Sequence, residues 1–348
     1  MPDKQLAFDW SSEDPKPPST TPGPQIAPLA DRLRRLADRG IYLGTSSWKY
    51  PGWVGRVYDA GRYQVRGKFA QRKFEQQCLA EYATIFPTVG GDFSFYQFPS
   101  PKTWENLFAQ VPAGFRFSLK IPEDVTVDRF PDLPRYGRRA GTDNPHFMDA
   151  ALVRDKLLEP LAPYRDKLGV LIFEFGAIHR PPMNETAKFA SALDRMLSRL
   201  PSDAFKFAVE VRNPAFVKVK SEYLTCLESH NVAHCLNSWT RMPPLAEQMR
   251  VPGIITADHV AARLLLRPGR AYQQAVDMFA PYERVQDPYP EGRSALRDLI
   301  ERCLENRQPL FAFVNNRFEG NAIETIDAGT TALPNTPSRR DEGKWPRA

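Results

Sequence analysis

Apolar residues along this chain switch repeatedly between two periods. Short runs rich in Val, Ile, Leu and Phe alternate with longer segments in which apolar side chains recur every three or four positions. The short runs predict eight strands: Ile41 to Ser46, Thr88 to Ser94, Phe115 to Lys120, Val170 to Glu174, Phe207 to Arg212, Val232 to Asn237, Val260 to Arg267 and Leu310 to Asn315. Helical periodicity separates most of them, as in Lys68 to Phe86, Asn184 to Leu200, Ala215 to Glu228 and Glu291 to Asn306. The interval Trp239 to Gly253 is flanked by proline and has room only for a short helix. Strands that alternate with helices are expected to be parallel and joined by crossovers. Eight such units predict an α/β fold, a closed (β/α)₈ TIM-like barrel, rather than an open doubly wound sheet with fewer strands and a Gly-rich first turn. Neither GxGxxG nor GxxxxGKS/T occurs, so cradling of a nucleotide by those loops is not expected.

The pattern lapses at both ends. Pro15, Pro17, Pro18, Pro22, Pro24 and Pro28 deny the first residues either a helix or a sheet ladder. Residues 1–28 are therefore expected to form a disordered leader, 29–332 the barrel, and 333–348 a disordered tail. Leu29, Leu33 and Leu36 fall at helical spacing before Gly40, which predicts a short amphipathic helix capping the bottom of the barrel.

Alternate residues of a barrel strand point into the lumen or out to the helices, so faces follow from period two. In the fifth strand Phe207, Val209 and Val211 make an apolar outer face, which turns Ala208, Glu210 and Arg212 inward. Glu210 and Arg212 then stand on one wall near the C-terminal mouth, where active sites of this architecture lie, and they are the first catalytic candidates. The third strand turns Arg116, Ser118 and Lys120 inward, with Lys120 nearest the mouth and the third catalytic candidate. The competing reading makes these groups an internal ion-pair network, since buried carboxylates need partners. Ligand-binding candidates are Asp92 and Tyr96, on one face of the second strand with Ser94 and opposite Val89, Phe93 and Phe95, together with Glu174 and Asn316 at the ends of the fourth and eighth strands. Trp48 in the first βα loop is a candidate aromatic wall, with Trp53 beside it, against the alternative that both cover the barrel edge.

Charge sharpens this only in part. The 348 residues carry a net charge of +6, which suits an anionic partner but is also reached by solvated surface charge. The third βα loop concentrates Arg129, Arg135, Arg138 and Arg139, and the first carries Arg62, Arg66, Lys68, Arg72 and Lys73. Guanidinium forks match phosphate oxygens, so Arg138 and Arg139 join the ligand-binding candidates. Cys78, Cys226, Cys235 and Cys303 are read as buried free thiols, with no CxxC pair and no Cys/His cluster at zinc-site spacing. The five histidines form neither HxH nor HExxH; His179, just past the fourth strand, is the one placed to titrate at the mouth. No metal and no cofactor are expected. No apolar run is long enough for a membrane span and no secretory leader is visible, so a cytosolic location is expected. Gln5-Leu6-Ala7-Phe8 is faintly similar to sliding-clamp-binding peptides.

The segment Gly44-Thr45-Ser46-Ser47-Trp48-Lys49-Tyr50-Pro51-Gly52-Trp53, followed by Val57-Tyr58, resembles the opening motif of the YecE-like family. Further motifs follow in that family's order: Phe93-Ser94-Phe95-Tyr96 with Pro99, Gly114 through Lys120, Lys167 through Phe173, Val209-Glu210-Val211-Arg212, and Asn315-Asn316 with Gly320-Asn321-Ala322. The resemblance spans Ile41 to Ala328 and implies a TIM-like barrel without implying a particular reaction. The chain departs from the family's pattern at Gly90 and Asp92 in the second strand, and at Asn213, Pro214 and Phe216 after the fifth. Two functions are carried forward. One is an enzyme acting on a small phosphorylated or polyhydroxylated substrate, with Glu210 as general acid or base and Arg212 and Lys120 stabilising negative charge. The other is a nucleic-acid-binding module that uses the basic rim and the aromatic loop without catalysis.

Overall fold

The computed structural model describes residues 22–331 and 333, apart from Ala177, His179, Arg180 and Lys220. Almost all of the expected leader and tail, the Gln5 to Phe8 segment and His179 lie outside the described residues. Eight parallel strands close into a barrel: β1 (Ile41–Thr45), β2 (Thr88–Gly91), β3 (Arg116–Lys120), β4 (Leu168–Phe175), β5 (Lys206–Val211), β6 (Ala233–Ser238), β7 (Val260–Leu264) and β8 (Leu310–Val314). Each strand pairs with its sequence neighbours, and β1 pairs with β8 to complete the ring. Around it run α1 (Ala27–Ala37), α2 (Gln71–Tyr82), α3 (Pro101–Ala109), α4 (Thr186–Leu197), α5 (Glu222–Ser229), α6 (Tyr272–Phe279), α7 (Pro290–Glu305) and α8 (Ala322–Thr330). The crossover from β6 to β7 contains only the short helix Leu245–Gln248, preceded by Pro243 and Pro244.

Period two separates two apolar layers. Val170, Ile172, Ala208, Ala233, Cys235 and Ala261 fill the lumen with Tyr42, Phe311 and Phe313, while Phe173, Phe207, Val209 and Val211 pack outward against the helices. Tyr42 and Phe311 stack at 5.1 Å, so the lower lumen is a packed core and not a channel. Pro28 at the first turn of α1 costs no helical hydrogen bond, and the helix buries Leu29, Leu33 and Leu36. Ala37 at its end touches the lumen cluster. The described residues contain no helix long and apolar enough to cross a membrane.

One face assignment from the sequence needs correction. The second strand was expected to continue to Ser94 with Phe95 on the outer face, but the ladder ends at Gly91 and the chain turns at 93–95. A turn breaks the two-residue alternation, and Phe95 comes to lie beneath the Lys120 ammonium, with Nζ 3.9 Å from the ring centroid.

Candidate active site

The upper lumen holds an ion cluster built by register. Glu174 and Glu210 are paired positions of β4 and β5, so their side chains rise side by side from adjacent strands. Arg212 follows β5 and takes one oxygen from each, its NH2 2.9 Å from Glu174 Oε1 and its Nε 3.0 Å from Glu210 Oε1. From β7, Arg263 reaches the other oxygen of both carboxylates. Lys120 of β3 donates to Glu174 Oε2 at 3.1 Å and lies 3.4 Å from Asp92, and Arg263 NH2 lies 3.6 Å from the same Asp92 oxygen.

Depth orders the three acids. The Glu210 side chain is fully buried, that of Glu174 is 9% exposed and that of Asp92 is 24% exposed. Glu210 thus sits beneath the two arginines, and the expectation that it acts as acid or base meets a carboxylate with no open oxygen. Burial alone would raise the Glu174 carboxyl, but the charges of Arg212, Lys120 and Arg263 outweigh it and hold the group well below the usual carboxylate range. Arg263 is desolvated in turn, yet Glu210, Glu174 and Asp92 hold its pKa well above the ordinary guanidinium value. The Arg212 guanidinium lies over the Trp239 ring, 3.8 Å from its centroid, a cation–π contact that holds the fork in place.

The other sequence candidates divide. Tyr96 stays at the rim, exposed, with the Arg135 guanidinium 5.0 Å above its ring. Asn316 is buried; its Oδ1 accepts the Ala322 N–H at 2.8 Å and its Nδ2 finds no hydrogen-bond partner among the described residues. Trp48 does not form an open wall, because it is buried in the outer core edge-on to Phe93, with Trp53 buried as well. Apolar surface of that size is more stable packed than left in a solvated loop. In the third loop Arg139 pairs with Asp124, Arg135 with Glu123 and Arg129 with Asp143, leaving Arg138 exposed and, among the described residues, without an acidic partner.

Two arginines were missed. Arg263 was legible: the run Val260-Ala261-Ala262-Arg263-Leu264 places it on the lumen face with Ala261, where small neighbours leave room for a long cation. Arg317 follows Asn315 and Asn316 in the loop after β8, where alternation no longer assigns a face. It stacks 4.6 Å over the Tyr272 ring, and no carboxylate among the described residues is within ion-pair range. Burial disfavours its charge, but Tyr50, Tyr272, Tyr282 and the nearby Asp92 more than offset this.

Packing also assembles a Cys/His/Asp group that no zinc-site spacing in the sequence marks. Cys226 and His230 lie four residues apart on α5 and its C-cap, and the packing of α4 brings Asp194 to them. Only tertiary packing supplies the third group.

A closed parallel barrel whose strand ends converge on interlocked carboxylates, two arginines and a lysine has the architecture of a TIM-barrel protein with a polar centre at the C-terminal ends of its strands. The family described as "Protein of unknown function DUF72" matches residues 42–346, and the chain belongs to that family. It is 26% identical over 176 residues to UPF0759 protein YecE of Escherichia coli K12, covering 51% of this chain and 50% of the relative. The Escherichia coli O157:H7 protein of the same name matches to the same extent. The chain thus matches curated relatives over about half of their length. Solved structures agree in fold. A DUF72 family protein of Enterococcus faecalis superposes with a TM-score of 0.57 at 15% identity, over 87% of this chain and 99% of that one. A DUF72 family protein of Thermotoga maritima does so with a TM-score of 0.52 at 18% identity, over 84% and 97%.

Proposed function

We propose that the barrel mouth binds a small phosphorylated or otherwise anionic, polyhydroxylated molecule, and that Asp92 and Lys120 carry acid/base chemistry on it. The observation behind this reading is Arg317. The cluster's other cations each meet a carboxylate, whereas this partly buried guanidinium meets none among the described residues. Asp92 stabilises its charge only from beyond ion-pair range, so the guanidinium fork is left open to the phosphate or carboxylate of a ligand. Phosphate sites in this fold often use the loop after the eighth strand, where Arg317 stands.

Within this reading the buried acids are scaffolding. Glu174 stays ionised and Glu210 locks the two arginines, so neither is free to exchange a proton with substrate. Asp92 is the acid with an opening to solvent, and Lys120 beside it is the companion donor. Arg212, 15% exposed and stacked on Trp239, is placed to stabilise developing negative charge. The nucleic-acid reading draws less support, since three of the four third-loop arginines are engaged by Asp124, Glu123 and Asp143.

The test is thermal melting of the purified chain with matched sugars, sugar phosphates, sugar acids and oligonucleotides. Anionic sugars are expected to raise Tm and their neutral counterparts are not. Stabilisation by oligonucleotides alone, falling steeply with salt, would replace this reading with the nucleic-acid one.

A further inference from the structure

A second group of chemically active side chains lies away from the mouth. All barrel strands are parallel and each crossover helix returns the chain, so the C-terminal ends of α4 and α5 lie on the face opposite the mouth. Cys226 and His230, one helical turn apart on α5 and its C-cap, share a side of the helix. Asp194, in the last turns of α4, faces them, with Oδ1 2.7 Å from His230 Nε2. The sulfur, imidazole nitrogen and carboxylate oxygen all lie within 4.8 Å of one another. Cys226 is buried and Asp194 is 58% exposed, which leaves a route in from solvent.

We infer that Asp194, Cys226 and His230 form a binding site for a thiolate-accepting divalent cation, with zinc the best match, that clasps α4 to α5. Zinc accepts sulfur, nitrogen and carboxylate oxygen tetrahedrally at about 2.0–2.3 Å, which sets ligand-to-ligand edges of roughly 3.5 Å. Metal binding would lengthen the 2.7 Å Asp194–His230 contact and draw the sulfur in from within 4.8 Å, with water completing the fourth position. On binding, the Cys226 thiol gives its proton to solvent, so a thiolate and a carboxylate balance the ion's two charges. The carbonyls at the C-terminus of α5 add negative potential beside His230. Magnesium and calcium prefer all-oxygen sites and fit this set poorly. The site is independent of the ligand reading at the mouth, and its location opposite the catalytic face makes it a structural clasp.

The test is a titration of the full chain, stripped with chelator under reducing conditions, with cobalt(II) and then zinc. One equivalent of cobalt is expected to give the near-ultraviolet absorption of a thiolate–cobalt bond, which one equivalent of zinc bleaches. Cys226→Ser should abolish the band, and Asp194→Asn should weaken zinc binding at least about ten-fold, at the low end of what even a non-ligating supporting residue contributes. Absence of stoichiometric binding, or a band that survives Cys226→Ser, would overturn the site and leave an Asp194–His230 pair beside a buried thiol. Should Cys226→Ser fail to fold, the exposed Asp194→Asn variant decides, and unchanged zinc affinity in it refutes the inference.

Discussion

Glu210 and Asp92 are both inward carboxylates at strand ends, yet their surroundings differ. Both oxygens of Glu210 are held by Arg212 and Arg263 in a fully enclosed setting. Glu210→Gln therefore leaves two desolvated guanidinium groups short of charge and is expected to cost about 3–5 kcal/mol. Asp92→Asn, nearer solvent, should cost about 1 kcal/mol or less while lowering ligand affinity or turnover. Denaturant unfolding of both variants checks this, and equal costs would remove the distinction between scaffold and reacting acid. At this scale the sequence was legible wherever alternation held. Glu174, Glu210, Lys120 and the inward side of β5 follow from period two, and Arg263 would have followed from the same argument. Arg317 and Phe95 do not, because both lie in turns, where side-chain direction depends on tertiary packing. Trp48 was ambiguous for the same reason: a loop position does not say whether a large ring is buried.

Among the elements, the approach of β1 to β2 is the tightest constraint on closure. A Cβ at Gly44 would collide with the backbone carbonyl oxygen of Thr88, which no rotamer change relieves. Gly44→Ala is expected to destabilise the barrel by at least about 1–3 kcal/mol, seen as a lower denaturation midpoint. An unchanged midpoint would mean that the two strands separate freely. On β6, His234 is buried with Nδ1 3.0 Å from the Tyr223 hydroxyl, and burial lowers its imidazole to about 3. The unfolded chain takes up this proton near pH 6.5, while the folded chain resists until about 3. The neutral state's contribution is thus fully present above about pH 6.5 and declines below it, by at most about 1.4 kcal/mol per pH unit. Relative to wild type, His234→Gln should gain stability as the pH falls from 6.5 to 4.5, and parallel stability curves would contradict the burial argument. All eight strands were visible as β-rich runs, because lumen and outer face are both apolar and interruptions mark the loops. Strand ends were less visible, as β2 shows, since hydrogen bonding to neighbours and not composition decides where a ladder stops.

For the whole molecule, the fold follows from counting alternating units and from the resemblance, whereas the ligand does not. The same barrel places enclosed ions and solvent-open ions at one mouth, and burial and pairing separate them. Among the described residues, Arg317 is a partly buried cation at the mouth with no carboxylate in ion-pair range, and the account rests on it. The most direct measurement is calorimetric titration of wild type and Arg317→Gln with a sugar phosphate that raises Tm, alongside the parent sugar. Because Arg317 has no ion-pair partner among the described residues, Arg317→Gln should melt close to wild type while losing about ten-fold or more in affinity for the anion, in line with about 1.5–3 kcal/mol for a charge-assisted contact. The parent sugar should bind neither protein appreciably. Anion affinity that survives Arg317→Gln unchanged, or equal binding of charged and neutral sugars by wild type, would contradict an anion site anchored on this residue.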